Sequence, residues 1–419
     1  MSEILFLSHR IPFPPDRGDK IRSHHILKRL ARIAPVHVAT FADDEEDARH
    51  EAALASVAKS HCLVRRSKSL TWAGIEALVT ARPVSVTAFR HRAIARYVAR
   101  LLVTRPIAAI YVFSGQMGQY VPASFTGRVV ADFVDVDSAK FDAYAEKGRG
   151  LRGWIDAREG VFLRAEEARL AGRANVSLLI STDEARLFKS RLPHSRSTRY
   201  AVRALANGID SMLFDRELVG RESRVLASSG PRLIFTGQMD YAPNVDAAMR
   251  VIGSILPKIR QSFPDATFHV VGRSPTPRLL AHHGRDGAYV WGRVPDMRCW
   301  LKAADVALVP LDIGRGVQNK VLEAMAMELP VVLSPEAATG IPADHGRDFL
   351  IGEHDDALAA HVAEVLRNPD RAGALGRSAR KFVVEQASWD AALASLPEII
   401  GMATSSQPRG QTDLSRNAA

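Results

Sequence analysis

The chain has 419 residues, 47% of them hydrophobic and 24% charged, an ordinary globular composition with length enough for two domains with full cores. Two distant cysteines, Cys62 and Cys299, lack CxxC or Cys/His spacing, which excludes a disulfide framework and a structural zinc and suits a reducing cytoplasm. Lys plus Arg at 56 against Asp plus Glu at 46 leave a net charge of +10, so anionic partners are favoured: phosphorylated substrates, anionic lipid or nucleic acid.

The start, "MSEILFLSHRIPFPP", has no basic n-region, and no window reaches the roughly 18 uninterrupted apolar residues of a membrane span, so a soluble or membrane-surface protein is expected. Short Val/Ile/Leu/Phe runs alternate with helix-period segments, the pattern of parallel sheets covered by helices. Strands are predicted at 3–8, 36–41, 61–65, 109–113, 128–133, 176–181 and 199–204, then at 232–237, 267–272, 288–292, 305–310, 330–334 and 348–352. Between the two sets, the polar stretch 207–231 ends in Ser-Ser-Gly-Pro and reads as a linker. The fold class is therefore α/β, with two Rossmann-like parallel sheets facing each other across a cleft: domain one at 1–206 and domain two at 232–385. The polar end, 404–419, is expected to be a disordered tail.

Along the first half, "HRIPFPPDRGDK" is a Pro/Gly-rich loop feeding a helix, with Asp19 as its expected N-cap. His24 and His25 follow on that helix, His24 toward the cleft and His25 toward the core, neither at metal spacing. The acidic run 43–51 reads as a helix start. The stretch 89–102 puts Arg92, Arg96 and Arg100 on one stripe, which suits either a solvated helix or one lying on anionic lipid. "ADFVDVDS" carries Asp132, Asp135 and Asp137; a DxD pair is able to bind Mg²⁺, and Asp137 or Ser138 is equally able to cap the next helix.

The most informative stretch is "RGVQNKVLEAMAMELPVVLS". Gly314 and Gly316 allow a tight turn, Gln318 or Asn319 is placed to cap, and Val321, Leu322, Met325 and Ala326 form an apolar stripe. Lys320 in the first turn opposes the helix dipole unless an anion binds there, which points to a phosphate. Glu323, one turn deeper, would repel a phosphate but suits the hydroxyls of a ribose. The competing reading is an i,i+3 ion pair on a solvated helix.

"NKVLEAMAMELPVV", with "WGRVPDMRCWLKAADVALVP" before it and "DFLIGEHDDALAAHVAEVL" after it, resembles the donor domain of family 4 glycosyltransferases of the GT-B fold. "ANGID" at 206–210 is similar to that family's turn closing the first domain. With "FLSHRIPFPPDRGDKIRSHHILKRLA", "DFVDVDSAKF" and "FTGQMDYAPNVDA", the chain most resembles the branch associated with PEP-CTERM/exosortase exopolysaccharide systems.

The resemblance implies a retaining transfer from a nucleotide-diphosphate sugar to a saccharide or polyprenyl-linked acceptor. It implies no cofactor, no required Mg²⁺, a cytoplasmic enzyme with possible contact to the membrane's inner face, and a helix at 386–403 returning to the first domain. Glu323 would hold the ribose, and Gly237, Arg273, Arg315, Gly316, Gln318, Asn319 and Lys320 would surround the donor. Arg17, Gly18, Asp19 and His24 would form the acceptor loop, and Asp135 falls where many relatives place a histidine against the transferring sugar.

Two departures stand out. The family's first glutamate, eight positions before the second, is here Arg315, and its diphosphate-binding basic pair is absent from "FTGQMDYAPN", so Arg273 and Lys320 are the candidate replacements. The alternatives are a nucleotide-sugar 2-epimerase of the same architecture and a basic membrane-surface binding protein. No GxGxxG follows the first strand, and no zinc-finger spacing or RNP-like run is present, which argues against hydride transfer and nucleic-acid binding.

Overall fold

A computed structural model describes residues 2–193, 200–314 and 316–402. The polar tail read at 404–419, Arg315, and the first residue of the seventh predicted strand lie outside them. Two compact units divide the chain, one built from residues up to Ala206 and from Leu393 onward, the other from Asn207–Ala392.

The first unit contains β1 (Glu3–Ser8), β2 (Val36–Ala42), β3 (Ser60–Arg65), β4 (Ile107–Phe113), β5 (Arg128–Val134), β6 (Val176–Leu179) and β7 (Val202–Ala204), in the order β3-β2-β1-β4-β5-β6-β7. The second contains β8 (Arg232–Thr236), β9 (Thr267–Val271), β10 (Ala288–Val290), β11 (Val306–Val309), β12 (Val331–Leu333) and β13 (Leu350–Ile351), in the order β10-β9-β8-β11-β12-β13. All paired strands in both sheets are parallel. Helices cover both faces of such sheets, which is why the inner strands read as unbroken apolar runs; β1, β2, β9 and β11 are buried throughout. The edges differ: β7 is short and exposes Arg203, and β3 ends in the exposed Arg65, charges that discourage further strand pairing.

Strand order reverses beside the first strand of each sheet, between β1 and β4 and between β8 and β11. Connections leave the carboxyl ends of those neighbours in opposite directions, which opens a ligand crevice at that point.

Inside the first unit, the helix Gly18–Ile33 is tied to the sheet by a buried ion pair. Arg22 reaches Asp132 on β5 at 3.0 Å and donates through Nη1 to the Leu205 carbonyl at 2.8 Å. Tyr111 on β4 donates to the same carboxylate at 2.7 Å. Asp132 therefore faces the core. The last described segment also packs here, with Leu396, Ile399 and Ile400 buried and Arg128 Nε donating to the Ile399 carbonyl.

The stretch 207–231, read as a linker, packs within the second unit. Arg298 donates to the Leu213 carbonyl, Arg380 to that of Phe214 and Lys302 to that of Val219, each at 2.9 Å. Cations thus satisfy carbonyls that a segment with little regular structure leaves unpaired, and such contacts leave no periodic trace in the sequence.

Replacing Asp132 by Ala should destabilise the protein by about 3–5 kcal/mol, because a buried guanidinium loses its counter-charge. Urea unfolding of the variant checks this, and a change below about 1 kcal/mol would contradict the stated role.

Candidate active site

In the second unit, β8 and β9 are each followed directly by a glycine, Gly237 and Gly272. A Cβ on Gly272 would lie 1.6 Å from the Gly237 carbonyl oxygen, so only glycine permits the approach. Gly237 N–H donates to the Val271 carbonyl at 3.1 Å and Gly272 N–H to that of Gly292 at 3.0 Å. This contact brings Gln238 beside Arg273: Met239 N–H donates to the Arg273 carbonyl at 2.9 Å, and Arg273 Nη2 to Gln238 Oε1 at 2.6 Å.

The helix Ala242–Arg250 begins with Pro243 in its first turn, a favoured position because no N–H is needed there. Buried Asn244 donates through Nδ2 to the Gln238 carbonyl at 2.9 Å and accepts from Lys320 Nζ at 2.5 Å. Sequence reasoning passed over Asn244, Gly272 and Gly292; the only signal was the Pro-Asn pair opening a helix after a strand-glycine turn.

Lys320 belongs to the helix Asn319–Ala326, which buries Val321, Leu322, Ala324, Met325 and Ala326. Its N-cap is Gln318, in an extended conformation but without a side-chain capping bond; the Gln318 amide turns back to the Gly316 carbonyl at 3.2 Å. Neither Gln318 nor Asn319 caps the helix through its side chain, contrary to the reading from the sequence, so the first-turn N–H groups keep their capacity for an anion. The Lys320 ammonium lies 4.8 Å from the Phe235 ring centroid. Burial pushes it down to about 8, with the neighbouring Glu323 charge opposing.

Burial pushes Glu323 up to about 7, opposed by Lys320. The two do not form an ion pair: the ammonium engages Asn244 and the ring, and among the described residues no donor is hydrogen-bonded to the Glu323 carboxylate. A half-buried carboxylate beside a desolvated lysine, at the switch point of a parallel sheet, is an arrangement built to receive donors and an anion together. Gly237, Gln318, Asn319, Lys320 and Glu323 gather here, and Arg273 joins through Gln238. Gly316, with a φ of 68°, forms the turn leading in.

In the first unit, the loop after β1 is held by charge. Arg10 donates to Asp19 and Asp43, each at 2.6 Å, and Arg17 to Asp43 at 3.1 Å. Asp19 is not the N-cap; Arg17 is, and Asp19 sits in the first turn, where Arg10 and His9 compete for its carboxylate. Burial opposes its ionisation, yet the hydrogen bonds from His9 and Arg10 hold it well below the usual carboxylate range. Nothing lies within 4 Å of where a Gly18 Cβ would stand, so this backbone is open to approach.

His24 and His25 exchange places relative to expectation. His24 is buried, hydrogen-bonded to the Pro12 carbonyl at 3.2 Å and packed edge-on to Phe13, because the loop folds back over it; His25 is only half-buried. Asp135 and Asp137 share Lys140, at 2.8 and 3.2 Å, and the next helix is capped by Val136 instead of Asp137 or Ser138. Ser138 instead donates to the buried Glu167. At the carboxyl ends of β4 and β5, Ser114 and Val134 hold φ values of 75° and 70°, left-handed conformations that cost about 1–3 kcal/mol each in non-glycine residues and recur at functional sites.

Residues 230–368, which carry the glycine contact, Asn244, Lys320 and Glu323, match the family model for glycosyl transferases group 1. The chain is 27% identical over 299 residues, 59% of its own length and 74% of the relative's, to the GDP-mannose-dependent alpha-(1-6)-phosphatidylinositol monomannoside mannosyltransferase of Mycobacterium tuberculosis. The chain is a glycosyltransferase. Its fold is GT-B: Anabaena HepE in complex with UDP superposes with a TM-score of 0.60 at 14% identity, covering 95% of the glycosyltransferase and 99% of HepE. The sucrose-phosphate synthase of Thermosynechococcus elongatus superposes at 0.57 and 16% identity, covering 95% and 98%.

The raised Glu323 has a stability consequence. An acid whose folded value lies near 7 instead of the ordinary 4.5 contributes fully below 4.5 and loses that contribution as pH rises through 7. Glu323→Gln should therefore stabilise the ligand-free glycosyltransferase by about 1–3 kcal/mol near pH 8 and change little near pH 4.5. Urea unfolding at the two pH values measures this.

Proposed function

We propose that the glycosyltransferase moves a sugar from a nucleotide-diphosphate sugar, with retention, to a saccharide or polyprenyl-linked acceptor during exopolysaccharide assembly at the cytoplasmic face of a membrane. The observation that carries the donor half is the Lys320–Glu323 arrangement: a desolvated cation at a helix start and, one turn on, a carboxylate whose acceptors are unused among the described residues. Lys320, Arg273 and the first N–H groups of the helix, at Asn319 and beyond, hold the diphosphate; Gly237 lets it approach the backbone; Glu323 accepts from the ribose hydroxyls. The GDP-mannose named for the mycobacterial relative and the UDP held by HepE support such a donor.

In this scheme the bond from the sugar's anomeric carbon to the diphosphate breaks, a bond to the acceptor oxygen forms on the same face, and the departing diphosphate takes the acceptor's proton. No protein base is required. Lys320 and Arg273 stabilise charge developing on the leaving group, the task for which a metal would otherwise serve, so Mg²⁺ is not needed. Arg17, Gly18 and Asp19 contact the acceptor, Asp135 meets the transferring sugar, and Arg315 stands where the resembling family has its first glutamate. His24, buried under its own loop, supports that loop instead of touching substrate. The PEP-CTERM/exosortase assignment rests on the resemblance carried by "FLSHRIPFPPDRGDKIRSHHILKRLA", "DFVDVDSAKF" and "FTGQMDYAPNVDA", and the membrane-side location on that resemblance and the net charge of +10.

Calorimetric titration with UDP, GDP, ADP and TDP, without and with Mg²⁺, is the direct test. One diphosphate should bind selectively without metal, and Lys320→Ala should weaken it about 10–100-fold while leaving the matching nucleoside nearly unchanged. Equal weakening of both, or no binding by any of the four, would sink the donor-site assignment.

A further inference from the structure

The basic stretch 89–102, read from the sequence as either a solvated helix or one lying on anionic lipid, contains most of the helix Arg92–Thr104, which spends its apolar side inside the first unit: Ile94, Tyr97, Val98 and Leu101 are buried. Another helix does the reverse. Leu70–Thr80 turns the small Ala73 and Ala77 inward and leaves Trp72, Leu78 and Val79 exposed by 67%, 61% and 82%, with Ile75 exposed beside them. Burying small residues and presenting large ones inverts the usual amphipathic order of a surface helix.

The orientation is pinned by specific bonds. The Thr87 hydroxyl donates to the Ala73 carbonyl at 2.8 Å, and Arg158 Nη2 to that of Ala77 at 2.8 Å. Arg158 lies on the neighbouring helix Gly150–Arg173, and Trp154, one turn before it on the same stripe, is also exposed. The only acid on Leu70–Thr80, Glu76, is bonded to Lys68 and Arg90. Arg82, Arg90 and Arg149 stand exposed in the segments that flank the two helices, and Arg152 stands exposed in the first turn of Gly150–Arg173.

We infer that Trp72, Ile75, Leu78, Val79 and Trp154 form a face that inserts into the interfacial region of an anionic bilayer, with the flanking arginines on lipid headgroups. Tryptophan and aliphatic side chains rimmed by arginine match that boundary, apolar below and negatively charged above. Charge also selects against a second copy of the chain, because a two-fold contact through this face would bring like-charged rims together. The inference deepens the membrane-side part of the proposed function and uses no feature of the donor site.

The test is sedimentation of the full chain with vesicles, in the absence of any nucleotide, so its failure leaves the calorimetric result on the donor site standing. Vesicles of mixed phosphatidylcholine and phosphatidylglycerol should carry the protein down, and pure phosphatidylcholine should not. Leu78→Glu combined with Val79→Glu should lower the partition coefficient about tenfold or more. Independently of how that variant folds, a Trp154→Phe protein should show a blue-shifted emission when anionic vesicles are added, and the same protein with Trp72→Phe added, which keeps Trp291, Trp300 and Trp389, should lose that shift. Binding that ignores lipid charge, binding unchanged in a folded double variant, or no Trp72 shift overturns the assignment. So does a wild-type dimer in analytical ultracentrifugation that the double variant breaks.

Discussion

The donor half depends on one contact, the touching backbones of Gly237 and Gly272. Because neither has a side chain, the turns after β8 and β9 close on one another, and everything downstream takes its place from that closure. Gln238 and Arg273 are brought within bonding distance, Asn244 finds the Gln238 carbonyl, and its remaining amide oxygen fixes the ammonium of Lys320. A methyl group at Gly272 would force those turns apart and displace every link in that series.

The two units treat charge differently, and the contrast is informative. In the first, Arg22 and Asp132 satisfy each other with help from Tyr111 and the Leu205 carbonyl, and Arg10, Arg17, Asp19 and Asp43 form a mesh of ion pairs. In the second, Glu323 is desolvated without a hydrogen-bonded donor among the described residues, and Lys320 is desolvated with a single amide oxygen and an aromatic face. A network of paired opposite charges positions backbone; a desolvated cation and carboxylate without such pairing cost stability until something binds. That difference directs attention to the helix Asn319–Ala326 as the chemical centre and to the loop after β1 as a rigid support.

Thirteen strands were legible in the sequence because a parallel sheet covered on both faces leaves each inner strand as an apolar run bounded by polar turns. Lys320 and Glu323 were legible because a lysine in a first turn contradicts the helix dipole, and a contradiction of that kind needs a ligand or a partner. Helix caps were less legible. Asp19, Gln318 and Asp137 all carry capping side chains at plausible positions, yet Arg17, Gln318 without a side-chain bond, and Val136 occupy the cap positions, because tertiary partners such as Arg10 and Lys140 claim the carboxylates first. Local propensity loses when a buried counter-charge is available.

By itself the sequence determined what local periodicity encodes: the alternation of strands and helices, the two-sheet organisation, and the helix on which a cation precedes a carboxylate. Tertiary structure decided what depends on residues distant in the chain. It placed Asn244 on Lys320 across 76 positions and Arg22 on Asp132 across 110, buried His24 under its own loop, and turned the large side chains of Leu70–Thr80 outward while consuming the apolar stripe of Arg92–Thr104. Those outcomes follow from which surfaces meet when the sheets close, and an amphipathic pattern alone does not state which neighbour will cover it.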